Sequence, residues 1–189
     1  ALCKNGVAVS TKLISFLLRV KNMALSTFMP NEVTISMIGD GWSHVVSGFA
    51  EDSIVTIDRQ AETFAMYVGA DNTPTRIYNA NTALMMTVAL AQTSESNDLF
   101  SAVYEKDRTT RQGVFTVLVT DNSGRSRYFA EEAYIGVVPN ASYGNSMQTR
   151  EWVIHAPASD VNLGGNSKIS AGTLAALAAL GVTVAPQWQ

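Results

Sequence analysis

Cysteine is almost missing from this chain. Cys3 is the only one in 189 residues, so no internal disulfide can form and no disulfide framework is implied. Charge is scarce too. Asp, Glu, Lys and Arg make up 15% of the residues, below the usual quarter, which fits a surface partly covered by other subunits. Histidine occurs at positions 44 and 155, both in β-patterned stretches without a local catalytic motif, and each reads as a satisfied strand residue. No H-E-x-x-H, C-x-x-C, G-x-S-x-G or P-loop spacing occurs, and Gly39-Asp40-Gly41 lacks the third glycine of a dinucleotide fingerprint. The apolar run at 13–18, closed by Lys12 and Arg19, is shorter than the roughly 20 residues a membrane helix needs, and it has no clean signal-peptide cleavage site. A net charge of −3 and a pI near 5.3 argue against a nucleic-acid reader, which usually carries a basic stripe. A weakly acidic chain can still handle DNA when its task is to avoid sticking to phosphate.

The remaining chemical candidates each have a bland counterpart. Glu131-Glu132 is a paired carboxylate or an exposed bulge. Asp71-Asn72-Thr73 starts like a calcium loop, but Pro74 follows and the sixth-position glycine is absent. Asn140-Ala141-Ser142 matches a glycosylation acceptor without a secretory signal. Lys106, Arg108, Arg111, Arg125 and Arg127 read as a solvated helix end and hairpin in preference to a basic patch.

What is present is a core. Hydrophobic residues make up 47% of the chain, and a domain of this size buries about 70% of its unfolded surface. The stretch at 82–120 organises the rest. Along a strand side chains alternate, so Leu84, Met86, Val88 and Leu90 form a bulky core face. Ala83, Met85, Thr87, Ala89 and Ala91 form a small-residue face that another layer can approach. Residues 93–98 supply acceptors for the orphan N–H groups of a helix start. Leu99 with Val103, and Phe100 with Tyr104, then form i,i+4 pairs on one apolar stripe. The β-branched run at 114–120 is the strongest strand signal.

Taken in order, residues 1–32 read as an N-terminal arm or an upstream extension of little consequence. Residues 33–157 form the β domain, and 158–189 a loop and short helix. Val33, Ile35 and Met37 alternate, Gly39-Asp40-Gly41 is a turn, and Val45 to Phe49 continue the alternation. Residues 54–58 and 62–68 are expected to pair as a hairpin across 59–61. Residues 69–74 are a turn cluster, and 75–78 a short strand that runs on toward the organising strand. Asp121-Asn122-Ser123-Gly124 is a hairpin turn. Residues 125–138 form a long strand broken by Glu131-Glu132, since adjacent carboxylates share a face only at a bulge or edge. Trp152 and Ile154 share a face of the last clear strand. Residues 160–167 are loop-like, 173–180 form a helix stopped by Gly181, and 182–184 add a strand. This helix is either docked or an oligomer contact. About nine strands and a flanking helix give a mainly β (α+β) fold, two packed antiparallel sheets forming a sandwich or barrel. Low charge, dissimilar ends and no catalytic constellation suit a building block, not an enzyme.

Ser53-Ile-Val-Thr-Ile-Asp58, Phe64 to Val68-Gly-Ala-Asp71, Gln92-Thr-Ser-Glu-Ser-Asn-Asp98, Val114-Phe115 and Thr149-Arg-Glu-Trp152 together resemble tail tube proteins of tailed bacteriophages, of the contractile-tail type. The resemblance spans roughly 33–156 and rests on order and spacing. The N-terminal segment and the Ala/Leu helix lie outside it. It implies homohexameric rings stacked into a hollow tube, with four strands per subunit joined into a continuous barrel around the lumen. The tape measure and then the genomic DNA occupy that channel, with no sequence-specific binding. Implied partners are the protein itself, sheath, tape measure, baseplate and tail terminator. The implied location is the virion tail, made in the host bacterial cytoplasm, with no cofactor, metal or membrane. On this basis Thr56, Asp58, Glu62 and Thr63 are the expected lumen positions. Glu51 and Asp52, Asp71 and Asn72, and Leu13, Phe16 and Leu17 are the expected contacts between rings. The alternatives are a tube subunit of a bacterial secretion or contractile injection machine, a non-enzymatic β-domain binding module, or an adhesin-like or capsid-decorating module.

Overall fold

In the computed structural model, which describes residues 27–189, the bulky face of the organising strand is buried throughout. Leu84, Met86, Val88 and Leu90 are each at most 2% exposed, while Met85 and Thr87 stay half-buried on the opposite face. The described residues form β1 (Val33–Gly39), β2 (Trp42–Val45), β3 (Val55–Arg59), β4 (Phe64–Val68), β5 (Pro74–Tyr78) and β6 (Leu84–Ala91), followed by α1 (Ser96–Thr110). After the helix come β7 (Phe115–Asp121), β8 (Arg127–Val137), β9 (Thr149–Ala156), β10 (Asp160–Asn162) and α2 (Ala171–Ala179). They fall into two units, Met29–Gly165 and a smaller one that contains Asn166–Gln189.

In the larger unit the strand order is β2-β1-β7-β8-β9-β6-β3, with β10 against the start of β8 and every pairing antiparallel. Strand β8 belongs to both halves of this sheet, and two irregularities bend it. Opposite β7, Phe115 pairs with Ala133 and Val117 with Ala130, so Glu131 and Glu132 face a single residue and form the expected bulge. Opposite β9, Ile135 pairs with Ile154 and Val137 with Val153, which leaves Gly136 extra. The halves also approach where the chain leaves β2. Val46 N–H donates to the Ile35 carbonyl at 2.8 Å, Ala91 N–H to the Gly48 carbonyl at 2.9 Å, and Ala50 N–H to the Ala89 carbonyl at 3.0 Å. This crossing segment switches from one half to the other, as strands do at the corners of packed sheets. Between the halves lie Ile35, Met37, Val117, Val119, Ile135, Trp152 and Ile154 with the bulky face of β6.

Helix α1 buries Phe100 and Val103, while Leu99 and Tyr104 pack at the margin. Phe100 meets Trp152 edge-on, at 5.4 Å between ring centroids and 76° between planes, a favoured aromatic geometry. The helix ends at Arg111, in the left-handed region with φ 60°, whose N–H donates to the Asp107 carbonyl. Gly113 N–H donates to the Asp107 carboxylate at 3.0 Å.

Three expectations are corrected. Strands β3 and β4 do not pair with each other: β3 pairs with β6 and β4 with β5. The chain kinks at 60–63, and β4 with β5 forms a separate two-stranded sheet that follows the β3–β6 pair. The break is bridged by Gln60 N–H to the Ala83 carbonyl at 3.0 Å and Asn79 N–H to the Thr63 carbonyl at 2.8 Å. Residues 160–162 are a strand rather than loop, because β8 offers them an open edge. Residues 182–184 are not a strand. Val182 N–H instead donates back to the Leu177 carbonyl at 2.9 Å, and Gly181 turns at φ +76°, a helix-stop geometry. Within its own unit α2 is capped by Ser170, whose hydroxyl accepts the Thr173 N–H. Leu174 and Leu177 are half-buried and Leu180 is exposed.

Candidate assembly surfaces

Alternation in β3, β6, β9 and the second half of β8 sends Val55, Ile57, Trp152 and Ile154 into the core. The opposite face then carries Thr56 and Asp58, Met85, Thr87 and Ala89, Glu151, Val153 and His155, and Tyr134. Those positions hold two carboxylates and no lysine or arginine. The sheet has an open edge on each side among the described residues. Strand β3 pairs only with β6, and Tyr134–Val137 only with β9.

The β4–β5 hairpin, a separate two-stranded sheet, follows this one as an arm. All ten of its strand residues are exposed, including Phe64, Met66, Tyr67, Val68, Ile77 and Tyr78. The register puts Phe64, Met66 and Val68 on one face with Tyr78, Arg76 and Pro74, and Ala65 and Tyr67 on the other with Ile77 and Thr75. On the first face the Phe64 and Tyr78 rings lie 5.6 Å apart, and the Arg76 guanidinium sits 3.5 Å from the Phe64 centroid. Consecutive Asx turns stiffen the return path: Asn79 Oδ1 accepts Asn81 N–H at 3.0 Å, and Asn81 Oδ1 accepts Ala83 N–H at 2.9 Å. At the tip the Asp71 carboxylate accepts the Thr73 hydroxyl at 2.8 Å and the Thr73 N–H at 3.2 Å. These bonds hold its pKa below the ordinary carboxylate value, the hydroxyl contributing most. Asp71 therefore closes a turn.

Thr56 and Asp58 lie on the open sheet face, exposed. Glu62 and Thr63 lie in the kink that leads to the arm. Glu51 and Asp52 are exposed in the bend before β3, and Asp71 and Asn72 at the arm tip, Asn72 at φ 63°. Leu13, Phe16 and Leu17 lie outside the described residues.

The histidines serve structure. His44 Nε2 lies 2.9 Å from Ser96 Oγ, a serine–histidine contact by distance alone. Ser96, however, is 0% exposed, and its hydroxyl oxygen also accepts the Ser47 N–H at 3.1 Å. No substrate can reach that hydroxyl; the pair joins the crossing segment to the start of α1. Ser94 Oγ donates to the Ser47 carbonyl at 2.6 Å, and Asn97 Oδ1 accepts the Trp152 indole N–H at 2.9 Å. Ser94 Oγ also accepts the Ser96 N–H at 3.2 Å, a bond of the kind the acceptor-rich stretch at 93–98 predicts for the helix start. Glu95, at the cap position, makes no side-chain cap bond, and Ser96 and Asn97 turn inward. His155 stacks at 5.6 Å on the Tyr134 ring and covers Gly136.

The bulge exposes both Glu131 and Glu132. With Asp160, Ser159, Thr82 and Phe129 they line an open cleft of about 340 Å³ at the root of the arm. Among the described residues no three His, Cys, Asp or Glu are grouped to hold a metal ion, and no helix is long and apolar enough to cross a membrane.

The family model described as the bacteriophage PhiTE tail tube protein matches residues 23–164. A structural protein, ORF10, of Pseudomonas phage KPP10 is 48% identical over 167 residues, covering 86% of this chain and 96% of that protein. Among solved structures, a chain from the virion of a native gene transfer agent particle shares the fold. Its TM-score is 0.51 at 11% identity, over 72% of this chain and 100% of that one. The tube-terminating cap of the anti-feeding prophage aligns with a TM-score of 0.49 at 11% identity, over 74% of this chain and 93% of that one. The chain therefore belongs to the bacteriophage tail tube family, as a structural protein of the phage tail.

Proposed function

We infer that this tail tube subunit closes head to tail into rings of six copies, the number its family resemblance implies, and that the rings stack into a hollow tube. The four-stranded sheet β3-β6-β9-β8 carries this reading, because it ends in an open edge on each side. Unpaired strand edges are rows of unsatisfied N–H and C=O groups. Joining β3 of one copy to the second half of β8 in the next pairs both edges at once. A heterologous contact of this kind closes into a ring or continues as a filament.

In such a ring the exposed face of the sheet lines the channel. Thr56, Asp58, Thr87 and Glu151 give it a polar, weakly negative surface, and Glu62 and Thr63 carry the lining on to the root of the arm. DNA slides past carboxylates and hydroxyls because it exchanges no counterions with them. The same channel holds the tape measure before ejection. The bend with Glu51 and Asp52 and the arm tip with Asp71 and Asn72 face neighbouring rings. Sheath, baseplate and terminator are the remaining partners, and the subunit works without catalysis.

Negative-stain electron microscopy of the purified full chain tests assembly, with hollow tubes or six-membered rings as the expected result. The double variant Asp58→Lys/Glu151→Lys tests the channel. Its tubes are expected to form but to retain DNA in a salt-dependent way and to lower infectivity. Unchanged ejection in that variant would remove the lumen assignment, and a chain that stays monomeric even with a preformed baseplate would remove the tube.

A further inference from the structure

We propose that the β4–β5 arm of one copy seats in the cleft formed by Glu131, Glu132, Asp160 and Phe129 of a second copy, with Arg76 meeting the carboxylates. The inference rests on the tube reading and names the surface that receives the arm.

A two-stranded hairpin exposed on both faces is marginal alone in water, so the arm needs a cover. Its two faces are unequal. One carries Phe64, Met66, Val68 and Tyr78 around a single cation, Arg76. Stacking at 3.5 Å holds the guanidinium over the Phe64 ring, and its N–H fork is the group that recognises carboxylates. The arm offers Arg76 no carboxylate in its own ladder: Glu62 lies in the kink, and Asp71 is engaged by Thr73.

The cleft has the complementary character. The β8 bulge turns adjacent carboxylates, Glu131 and Glu132, outward together, and Asp160 at the start of β10 adds a third. Phe129, Ala130 and Ala158 supply apolar wall. Arg127 is the cation beside them, in the neighbouring hollow with Phe129 and Asp160, and leaves an excess of two negative charges. The arm of the same copy does not fill the cleft: Thr82 lines it, but no residue of β4 or β5 does. Arm and cleft are different patches, so each copy gives one arm and receives one, the arrangement that closes rings or extends filaments.

Charge reversal tests the contact in the full chain, read by sedimentation velocity and electron microscopy, with thermal melts to verify folding. Arg76→Glu, and separately Glu131→Arg/Glu132→Arg, are each expected to raise the concentration needed for assembly by about tenfold or more. The triple variant is expected to return to within about threefold of the native chain. If either reversal unfolds the chain, Arg76→Gln and Glu131→Gln/Glu132→Gln replace it, and each is then expected to weaken assembly measurably. Native-like assembly of Arg76→Glu, or a triple variant as impaired as its parents, overturns the contact and leaves the tube reading standing. Native oligomers that are not tubes, yet respond to the swap as described, keep the contact and overturn the tube. A native chain monomeric under every condition overturns both.

Discussion

The indole N–H of Trp152 donates to Asn97 Oδ1 at 2.9 Å inside the core, and the amide nitrogen of the same asparagine donates to the Ala91 and Ser94 carbonyls, both at 2.9 Å. One side chain thus ties β9, the end of β6 and the first turn of α1. Both carbonyls keep a backbone donor, Ser94 N–H for Ala91 and Asn97 N–H for Ser94, so the indole is the group that would be orphaned. Asn97→Leu is expected to destabilise the fold by about 2–3 kcal/mol, measured by urea unfolding followed through tryptophan fluorescence. Trp152→Phe in that background should cost less than it does in the native chain. Additive effects would show that the bond contributes nothing.

Gly41 and Gly48 share a left-handed backbone, at φ +76° and +72°, but differ in surroundings. A Cβ at Gly41 meets nothing, whereas at Gly48 it would lie 2.7 Å from the Ser94 Cβ. Gly41→Ala is expected to cost about 1 kcal/mol for the conformation alone. Gly48→Ala should cost at least about 2 kcal/mol more, because the clash is with a packed strand-to-helix joint. Equal unfolding midpoints for the two variants would mean that the crossing segment yields without cost.

A Cβ at Gly136 would come within 2.1 Å of the His155 ring. Gly136→Ala should therefore lower stability by about 1–3 kcal/mol, and His155→Ala should restore most of that loss when combined with it. A double variant as weak as Gly136→Ala would assign the need for glycine to the bulged backbone. Calorimetric melting of the four chains decides between the two.

The arm tip carries a pH signature. Hydrogen bonds from the Thr73 hydroxyl, and then its N–H, lower the Asp71 pKa below 3.8 in the folded chain. A depressed carboxylate pKa contributes stability that is fully present above the unfolded value and is lost as pH falls through the folded one. The turn should thus be intact at pH 5 and above and loosen below about pH 3.8. The Thr73 amide resonance is expected to report this, and Asp71→Ala should abolish its titration. A Thr73 shift that begins well above pH 5 would contradict the assignment.

Short-range pattern foretold most of the β domain. The two faces of β6, the bulge at Glu131-Glu132, the turn after Asp121 and the stripe of α1 follow from period, charge repulsion and turn chemistry, which are local. Pairing is not local. Strands β3 and β4 are neighbours in sequence with matching alternation, so a hairpin between them reads naturally. That β3 instead reaches β6, across the inserted β4–β5 pair, is a longer-range pairing that local pattern does not announce. Asn97 and Ser96 illustrate the opposite difficulty: residues ideal for a helix cap are also small polar groups able to satisfy an indole and an imidazole from inside. Strand β10 is too short for periodicity to show, and exists because β8 leaves an edge unfilled. The open face of the sheet was half legible, since alternation selects Thr56 and Asp58, whereas Glu151 and His155 join them only through the β6–β9 register.

The bent strand β8 also sets how the molecule is made. Its first half completes a pairing begun at Val33, and its second half waits for β9, whose partner β6 lies some way back in the chain. Contacts this distant in sequence demand loop closure before they return any stabilisation, so folding is expected on the millisecond-to-second scale typical of non-local β topologies. The half that contains β9 can finish only once that strand is in place. The edge at Tyr134–Val137 is therefore set late, when β9 joins it, whereas β3 needs only β6. A subunit that polymerises by joining these two edges, as proposed, would then wait for β9 before it could receive a neighbour.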